Sequence, residues 1–328
     1  MWVGSKYDAS SHGTKYIKSL FGESALFSFP KSVHAVSDTS FTVLGESPDS
    51  LVLDIFGGSG TTGDAVIQLN REDNGDRKYI LVEMGEYFNS VTLPRIKKII
   101  YSTEWKNGKP SNITSGIPQI IKYMRLESYE DALSNITLEE KDSFFGSNLG
   151  DEYLIGYMLD MEAKGSLLNL DAFISPFEYN MKITEKNECK ERRVDVVETF
   201  NYLIGLSVHS QSSISYFSTK EAVNPPYEGA VDLQKDLNGV YGFRQIEGTL
   251  PDGRKALIIW RNINQDNILA SNAALDAYFS KYRINPADRE FDVIYINGDN
   301  NLENLRLDDE QWKVVLIETE FNKRMWEE

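Results

Sequence analysis

Cysteine occurs once in the 328 residues, at Cys189, so no internal disulfide can form and a reducing compartment is expected. Histidine is almost as scarce. His12, His34 and His209 are scattered along the chain without a ligand spacing, so no metal site is expected. Positive charge is short as well, with 34 Lys+Arg against 50 Asp+Glu and a net charge of −16. The deficit is uneven: residues 1–110 hold 12 basic and 13 acidic side chains, the remainder 22 and 37. Non-specific DNA affinity rests on cations that displace counterions, which excludes a wide phosphate-gripping face from the second part. No apolar run approaches the ~20 residues that cross a bilayer. The polar start, Met1 to His12, lacks the basic-then-apolar order of a signal peptide, so a cytoplasmic location and no membrane partner are expected. Internal repeats and low-complexity tracts are also missing. What is there, 41% hydrophobic and 26% charged residues, is the composition of a folded chain with length for two domains.

The clearest unit begins at Leu51-Val52-Leu53-Asp54-Ile55-Phe56, an apolar run typical of a buried parallel strand. A glycine turn, Gly57 to Thr62, follows at once, then helical spacing from Gly63 to Asn70. After a polar break, Lys78 to Glu83 repeats the strand character and closes a βαβ unit. A further helix is expected from about Tyr87 to Tyr101, with Pro94 as a kink or restart. Upstream, Gly13 to Gly22 suits a short helix, and Ala25 to Phe29 a strand stopped by Pro30. Asn, Gly, Pro, Ser and Thr cluster between Trp105 and Gly116, placing a domain boundary at 110/111. In the second part, helices are expected at Asp151 to Lys164, Arg192 to Gly205 and Asp266 to Lys281. A hairpin is expected around Pro251-Asp252-Gly253, and strands at Phe291 to Ile296 and Trp312 to Ile317. The whole is read as α/β, a partial Rossmann-like sheet in 1–110 followed by a mixed α/β domain in 111–328.

Glycines let backbone approach a ligand without a Cβ in the way, and the free amides of the following helix favour a negative group. Asp54 lies at the strand end, where it can meet a ligand's ammonium. Glu83 lies 23 residues past Gly60, where a carboxylate can accept both hydroxyls of a ribose. The turn parses two ways. Gly58-Ser59-Gly60-Thr61-Thr62-Gly63 is literally GxGxxG, a nicotinamide-cofactor fingerprint. Phe56-Gly57-Gly58-Ser59-Gly60-Thr61-Thr62 equally reads as the methyltransferase form, which uses the aromatic residue and paired threonines that the nicotinamide parse ignores.

Extended to Asp54–Val66, Leu69–Asp73 and Arg77–Met84, the pattern resembles the modification subunit of type III restriction-modification systems, a DNA adenine-N6 methyltransferase family. Gly13-Thr14-Lys15, Leu20-Phe21-Gly22 and Phe27–Val33 are similar to the preceding segment of that family, and Val197–Leu206 and Ile258–Arg261 to its C-terminal region. The resemblance implies that S-adenosyl-L-methionine is the cofactor. It implies further that Phe29, Pro30, Lys31 and Ser32 form one wall of the pocket, that Phe56 to Thr62 lie under the methionine portion, and that Glu83 holds the ribose. It places the catalytic Asp-Pro-Pro-Tyr segment and the target-recognition region before residue 1, so no catalytic residue is assigned within this chain. DNA, a restriction subunit, a polypeptide carrying the catalytic segment and a second copy of the chain are the implied partners. Asn224-Pro225-Pro226-Tyr227 spells a form of the tetrapeptide, but Ser218 to Val223 before it is too polar for a strand core, and a rigid loop is expected. Lys97-Lys98 and Arg192-Arg193 are read as solvated helix faces, the latter with Glu188 and Glu191 interleaved. A non-catalytic assembly subunit and a nicotinamide-dependent oxidoreductase are the competing functions.

Overall fold

The computed structural model describes residues 3–22, 27–45, 47–128, 131, 170–185, 188–223, 225, 227–305 and 312–326. The helix expected over Asp151 to Lys164, and Asn224 and Pro226 of the tetrapeptide, lie outside them. The chain divides into two compact units, Met1–Met124 and Arg125–Glu328. The first continues past residue 110 because Ile117 N donates to Ile100 O and Phe88 stacks on Tyr123.

In the first unit, β1 (Leu51–Asp54) and β2 (Lys78–Leu81) pair in parallel around the crossover helix α3 (Thr61–Asp73). The loop after α3 is tied by Asn70, whose side chain donates to Arg77 O and accepts from Arg77 N. Upstream lie α1 (Lys15–Phe21), ended by Gly22 in the left-handed region, and α2 (Val33–Leu44), for which the sequence gives little periodic signal. Pro94 acts as a restart: a single π-turn, Phe88–Thr92, precedes α4 (Leu93–Tyr101), with the proline in its first turn. Ile67, Ile96 and Ile99 form the core between α3 and α4, with Tyr79 and Leu81 of β2 against it. Gly63 allows the close approach, since a Cβ there would stand 2.8 Å from Ile96 Cδ1 and 3.0 Å from Leu81 Cδ1.

Three expectations are corrected in this unit. Residues 27–29 are bends instead of a strand, with Phe29 in the left-handed region at φ 58°. The strand at 51–56 stops at Asp54, and it is covered on one face alone. Leu51 and Leu53 are 61% and 60% exposed, with Ile80 and Val82 also open, because the described residues put helices over the opposite face of a two-stranded sheet. Lys98 is no solvated side chain: its ammonium lies 3.9 Å over the Trp105 ring, where burial pushes its pKa down. Trp105 belongs to a small hairpin, β3 (Trp105–Lys106) and β4 (Lys109–Pro110), turned by Asn107-Gly108.

The second unit is built on a seven-stranded sheet in the order β13-β12-β11-β10-β8-β9, with β7 also paired to β10. Its strands are β7 (Ser207–Gln211), β8 (Ser215–Glu221), β9 (Val231–Lys235), β10 (Tyr241–Thr249), β11 (Lys255–Arg261), β12 (Val293–Ile296) and β13 (Val314–Leu316). β11, β12 and β13 are parallel to one another, and the remaining pairs are antiparallel. Alternation along β11 and β12 sorts the core into two layers. Ala256, Ile258, Trp260, Val293 and Tyr295 join α5 (Val196–Leu203) and α7 (Ile317–Trp326), whereas Leu257, Ile259, Ile294 and Ile296 join α6 (Ile268–Tyr282). A separate hairpin, β5 (Asn180–Glu185) with β6 (Glu188–Arg193), replaces the start of the helix expected at Arg192. Arg192 and Arg193 therefore lie on a strand, not on a helix surface. Tyr202, within the helix that does form, is 55% exposed. The polar segment Ser218 to Glu221 is strand after all, because only one face of β8 is buried and the other needs no apolar residue. Among the described residues no helix is long and apolar enough to cross a membrane.

Arg261, fully buried at the carboxyl end of β11, donates to the carbonyls of Asn297, Ser271 and Asp299. Burial holds its pKa down to about 10, partly opposed by Glu318. Replacing it with alanine strands two buried acceptors and one part-buried one, so Arg261→Ala is expected to lose about 3 kcal/mol of unfolding free energy in a urea titration.

Candidate functional site

The carboxyl ends of β1 and β2 bring the glycine turn and Glu83 together. The parallel ladder runs on past the strands, Val82 N donating to Asp54 O and Gly57 N to Val82 O, so the turn leaves the sheet at a fixed height. Gly58 and Gly60 then take φ of 54° and 78°, values that a Cβ disfavours. Gly58 N donates to Glu83 Oε2 at 2.8 Å, and Gly85 N to Glu83 Oε1 at 2.8 Å. Burial alone raises the Glu83 carboxyl, but these two amides and the Tyr87 hydroxyl outweigh it and hold the pKa below its ordinary value of 4.5. A carboxylate has about four acceptor positions, and the Gly58, Gly85 and Met84 amides with the Tyr87 hydroxyl all bear on those of Glu83.

Asp54 ties the strand end to the turn. Its Oδ1 accepts from Phe56 N at 3.1 Å and its Oδ2 from the Thr62 hydroxyl at 2.6 Å, so it braces the turn from the strand end. Ser59 and Thr61 face inward and are buried. The backbone and the exposed rim are what the turn offers outward. That rim carries Phe56, Ile55 and Met84, the last 97% exposed. Phe27 packs edge-on against Tyr87 at 4.9 Å, and its Cζ lies 3.6 Å from where a Gly58 Cβ would stand.

The segment Phe29–Ser32 is held from its far side. Pro30 O would be 2.2 Å from a Cβ on Gly13, so Gly13 admits it, and the buried Ser32 hydroxyl donates to Lys6 O at 2.8 Å. Lys31 is exposed, and Phe29 is 94% exposed in a backbone conformation that costs a bulky residue about 1–3 kcal/mol. His12 and His34, far apart in sequence, meet edge-on at 4.7 Å. Among the described residues no group of three or more His, Cys, Asp or Glu is placed to hold a metal ion.

Residues that the sequence reading did not single out support the turn from beneath. Arg95 of α4 is fully buried, its Nε and Nη2 donating to Asp64 Oδ2 at 3.1 and 2.8 Å. Its Nη1 reaches Ser59 O, Ser59 Oγ and Thr61 Oγ1 at 3.0–3.1 Å. Asp64 Oδ1 accepts from Gln68, and Tyr16 stands over the guanidinium at 5.5 Å. Thr92 donates to Gly58 O at 2.5 Å, and its methyl would be 3.3 Å from a Gly60 Cβ. One signal was available. Val91, Arg95 and Ile99 recur every fourth residue on an apolar stripe, and a cation within such a stripe implies a buried partner.

Residues 43–93, from the end of α2 through the turn and Glu83 to the start of α4, match the DNA methylase family. Here the chain is similar to DNA methylases. The EcoPI Mod subunit of a type III restriction-modification enzyme, from Escherichia phage P1, is 40% identical over 89 residues, 27% of this chain and 13% of that protein. The StyLTI Mod subunit from Salmonella typhimurium is 37% identical over 95 residues, 29% of this chain and 14% of that subunit. The type II methyltransferase M.KpnI of Klebsiella pneumoniae is 39% identical over 83 residues, 25% and 19% of the respective chains. The match thus spans less than a fifth of each relative. The methylase-like stretch contains Asp54, every glycine of the turn and Glu83, and ends two residues before Arg95.

Two outcomes follow from the geometry. Arg95→Met leaves Asp64 buried and uncompensated and is expected to cost about 3–5 kcal/mol of stability. Arg95→Met with Asp64→Leu should recover most of it. Hydrogen exchange at Gly58 to Thr61 should stay faster than wild type in both variants, because the turn has lost its support. The Glu83 contribution has the sign of a depressed acid: it is complete above pH 4.5 and is lost as the pH falls through the lower folded value. The Gly58 amide resonance should therefore hold constant through mild acid and shift only below pH 4.5, which an NMR pH titration reads directly.

Proposed function

We propose that the first unit binds S-adenosyl-L-methionine on a partial Rossmann-like sheet and serves adenine-N6 methylation of DNA within a type III restriction-modification enzyme. The observation that carries this reading is the joint geometry of the turn and Glu83, in which a backbone concavity without Cβ atoms sits beside an ionised carboxylate. The residues suit the cofactor. Ribose hydroxyls would take the place of the Tyr87 hydroxyl on Glu83, and the α3 amides lie next to where the methionine carboxylate would rest. Phe56, Met84 and Phe29 offer apolar surface for the adenosyl group, and the strained Phe29 backbone fits a segment shaped for a ligand. The bound cofactor would supply the methyl group. The protein's own part is positioning: Glu83 fixes one end, the turn the other, and Arg95 and Thr92 keep the turn from yielding.

Accepting the adenine amine is work for an Asp-Pro-Pro-Tyr type segment, and Tyr227 is a poor candidate for it. Its hydroxyl donates to Asp276 Oδ2 at 2.6 Å, in the connection between antiparallel β8 and β9. We therefore assign the adenine-binding role to residues outside the methylase-like stretch, and propose DNA, a restriction subunit, a polypeptide carrying that segment and a second copy as partners. Support comes from the open face of β1 and β2, where Leu51, Leu53, Ile80 and Val82 present the apolar surface that a parallel sheet normally covers. The same face favours the second reading, a non-catalytic subunit that holds a partner methyltransferase.

Calorimetric titration with S-adenosylmethionine and S-adenosylhomocysteine tests the cofactor assignment. Both are expected to bind, with loss of at least about tenfold in affinity in Glu83→Ala, the scale of a lost charged hydrogen bond. Equal affinity in wild type and Glu83→Ala refutes the site, and failure of both ligands to bind wild type favours the assembly role.

A further inference from the structure

The second unit holds a cavity of about 210 Å³ where β6 ends and α5 begins. Two cations line it, Arg193 at the end of β6 and Arg244 of β10, with Phe177 and Ile214 supplying apolar wall. Elsewhere in the molecule Arg77, Arg95, Arg254 and Arg324 each hold a carboxylate. Neither Arg193 nor Arg244 has such an ion pair among the described residues, although the chain carries 50 acidic side chains. One carboxylate lines the cavity, that of Asp195, which also caps α5, its Oδ1 accepting from Glu198 N at 3.0 Å. Arg244 Nε donates to the Gln211 amide oxygen at 3.1 Å, with the amide turned to present that oxygen, which leaves the charge itself uncompensated. Val197, also on the cavity, lies in the first turn of α5, where Val196 N, Glu198 N and Thr199 N already donate to Val194 O, Asp195 Oδ1 and Asp195 O. Asp195 offsets one of the two positive charges on the cavity, and the excess of one favours an anion there.

We propose that this cavity receives a phosphate group, borne either by a DNA backbone or by a free phosphate. A pair of planar guanidinium groups is matched to tetrahedral phosphate oxygens, and the volume admits the group without its attached base. Such a site supplies a local phosphate contact in a unit whose net charge rules out a broad one. It stands apart from the cofactor reading of the first unit.

The test uses the whole chain as wild type, Arg193→Gln, Arg244→Gln and Arg244→Lys. Inorganic phosphate is titrated by calorimetry, and a labelled DNA duplex is bound across a series of salt concentrations. Either glutamine variant should weaken phosphate binding about tenfold or more, with Arg244→Lys intermediate. If the phosphate belongs to DNA, the slope of log affinity against log salt also shrinks by roughly 1 in each glutamine variant. If it is free, duplex binding does not change while phosphate binding falls. Arg193 is exposed on a hairpin strand, so its replacement does not threaten the fold. Phosphate and duplex binding both indifferent to Arg193→Gln and Arg244→Gln would overturn the proposal.

Discussion

The ion pair between Arg95 and Asp64 is the constraint on which the first unit is arranged. Both side chains are fully buried, and burying two charges costs several kcal/mol per ion unless their bonds are made elsewhere. Here they are made with Ser59, Thr61 and Gln68, in addition to the pair itself. The consequence is that the glycine turn, the first turn of α3 and the side of α4 cannot move independently. A turn with two residues at positive φ would otherwise be the loosest part of the unit. The pair ties it to α3 and α4 instead, and a preorganised concavity is what ligand recognition requires.

The parts of this arrangement legible in the sequence are those encoded locally. Apolar runs at 51 and 78, the glycines between them and an acidic residue at the second strand's end lie within 33 residues, and each has a short-range signature. The restart at Pro94, the hairpin at Pro251-Asp252-Gly253 and the helix over 268–282 were readable for the same reason. Arg95 was not, because its partners lie 31 to 36 residues away and a lone cation on a helix looks like a solvated one. Strand β8 was hidden by its polar residues, since a strand buried on one face needs apolar side chains at alternate positions only. The exposed state of Leu51 and Leu53 was equally hidden. Apolar residues in a strand state that the face must be covered, but not by which polypeptide.

In the second unit the physics is more conventional. Two helical layers flank a mixed sheet, and strict alternation along β11 and β12 sends neighbouring side chains to opposite cores. Trp260 is packed between Phe173 and Phe200 on one side, while Phe243 stacks on Tyr278 on the other. Against the surplus acid of its sequence, a cavity lined by two arginines and one aspartate is conspicuous for its excess of positive charge.

The two-stranded sheet has a consequence for how such proteins can be put together. An unpaired strand edge is read by backbone groups, which every residue except proline carries alike. The open face is read only by alternation of apolar side chains. Recognition of this kind fixes register and direction while remaining tolerant of the letters used. Any segment that covered these two strands, of this chain or of another, could thus vary widely in sequence, whereas the glycine turn, held by Arg95 and Asp64, could not.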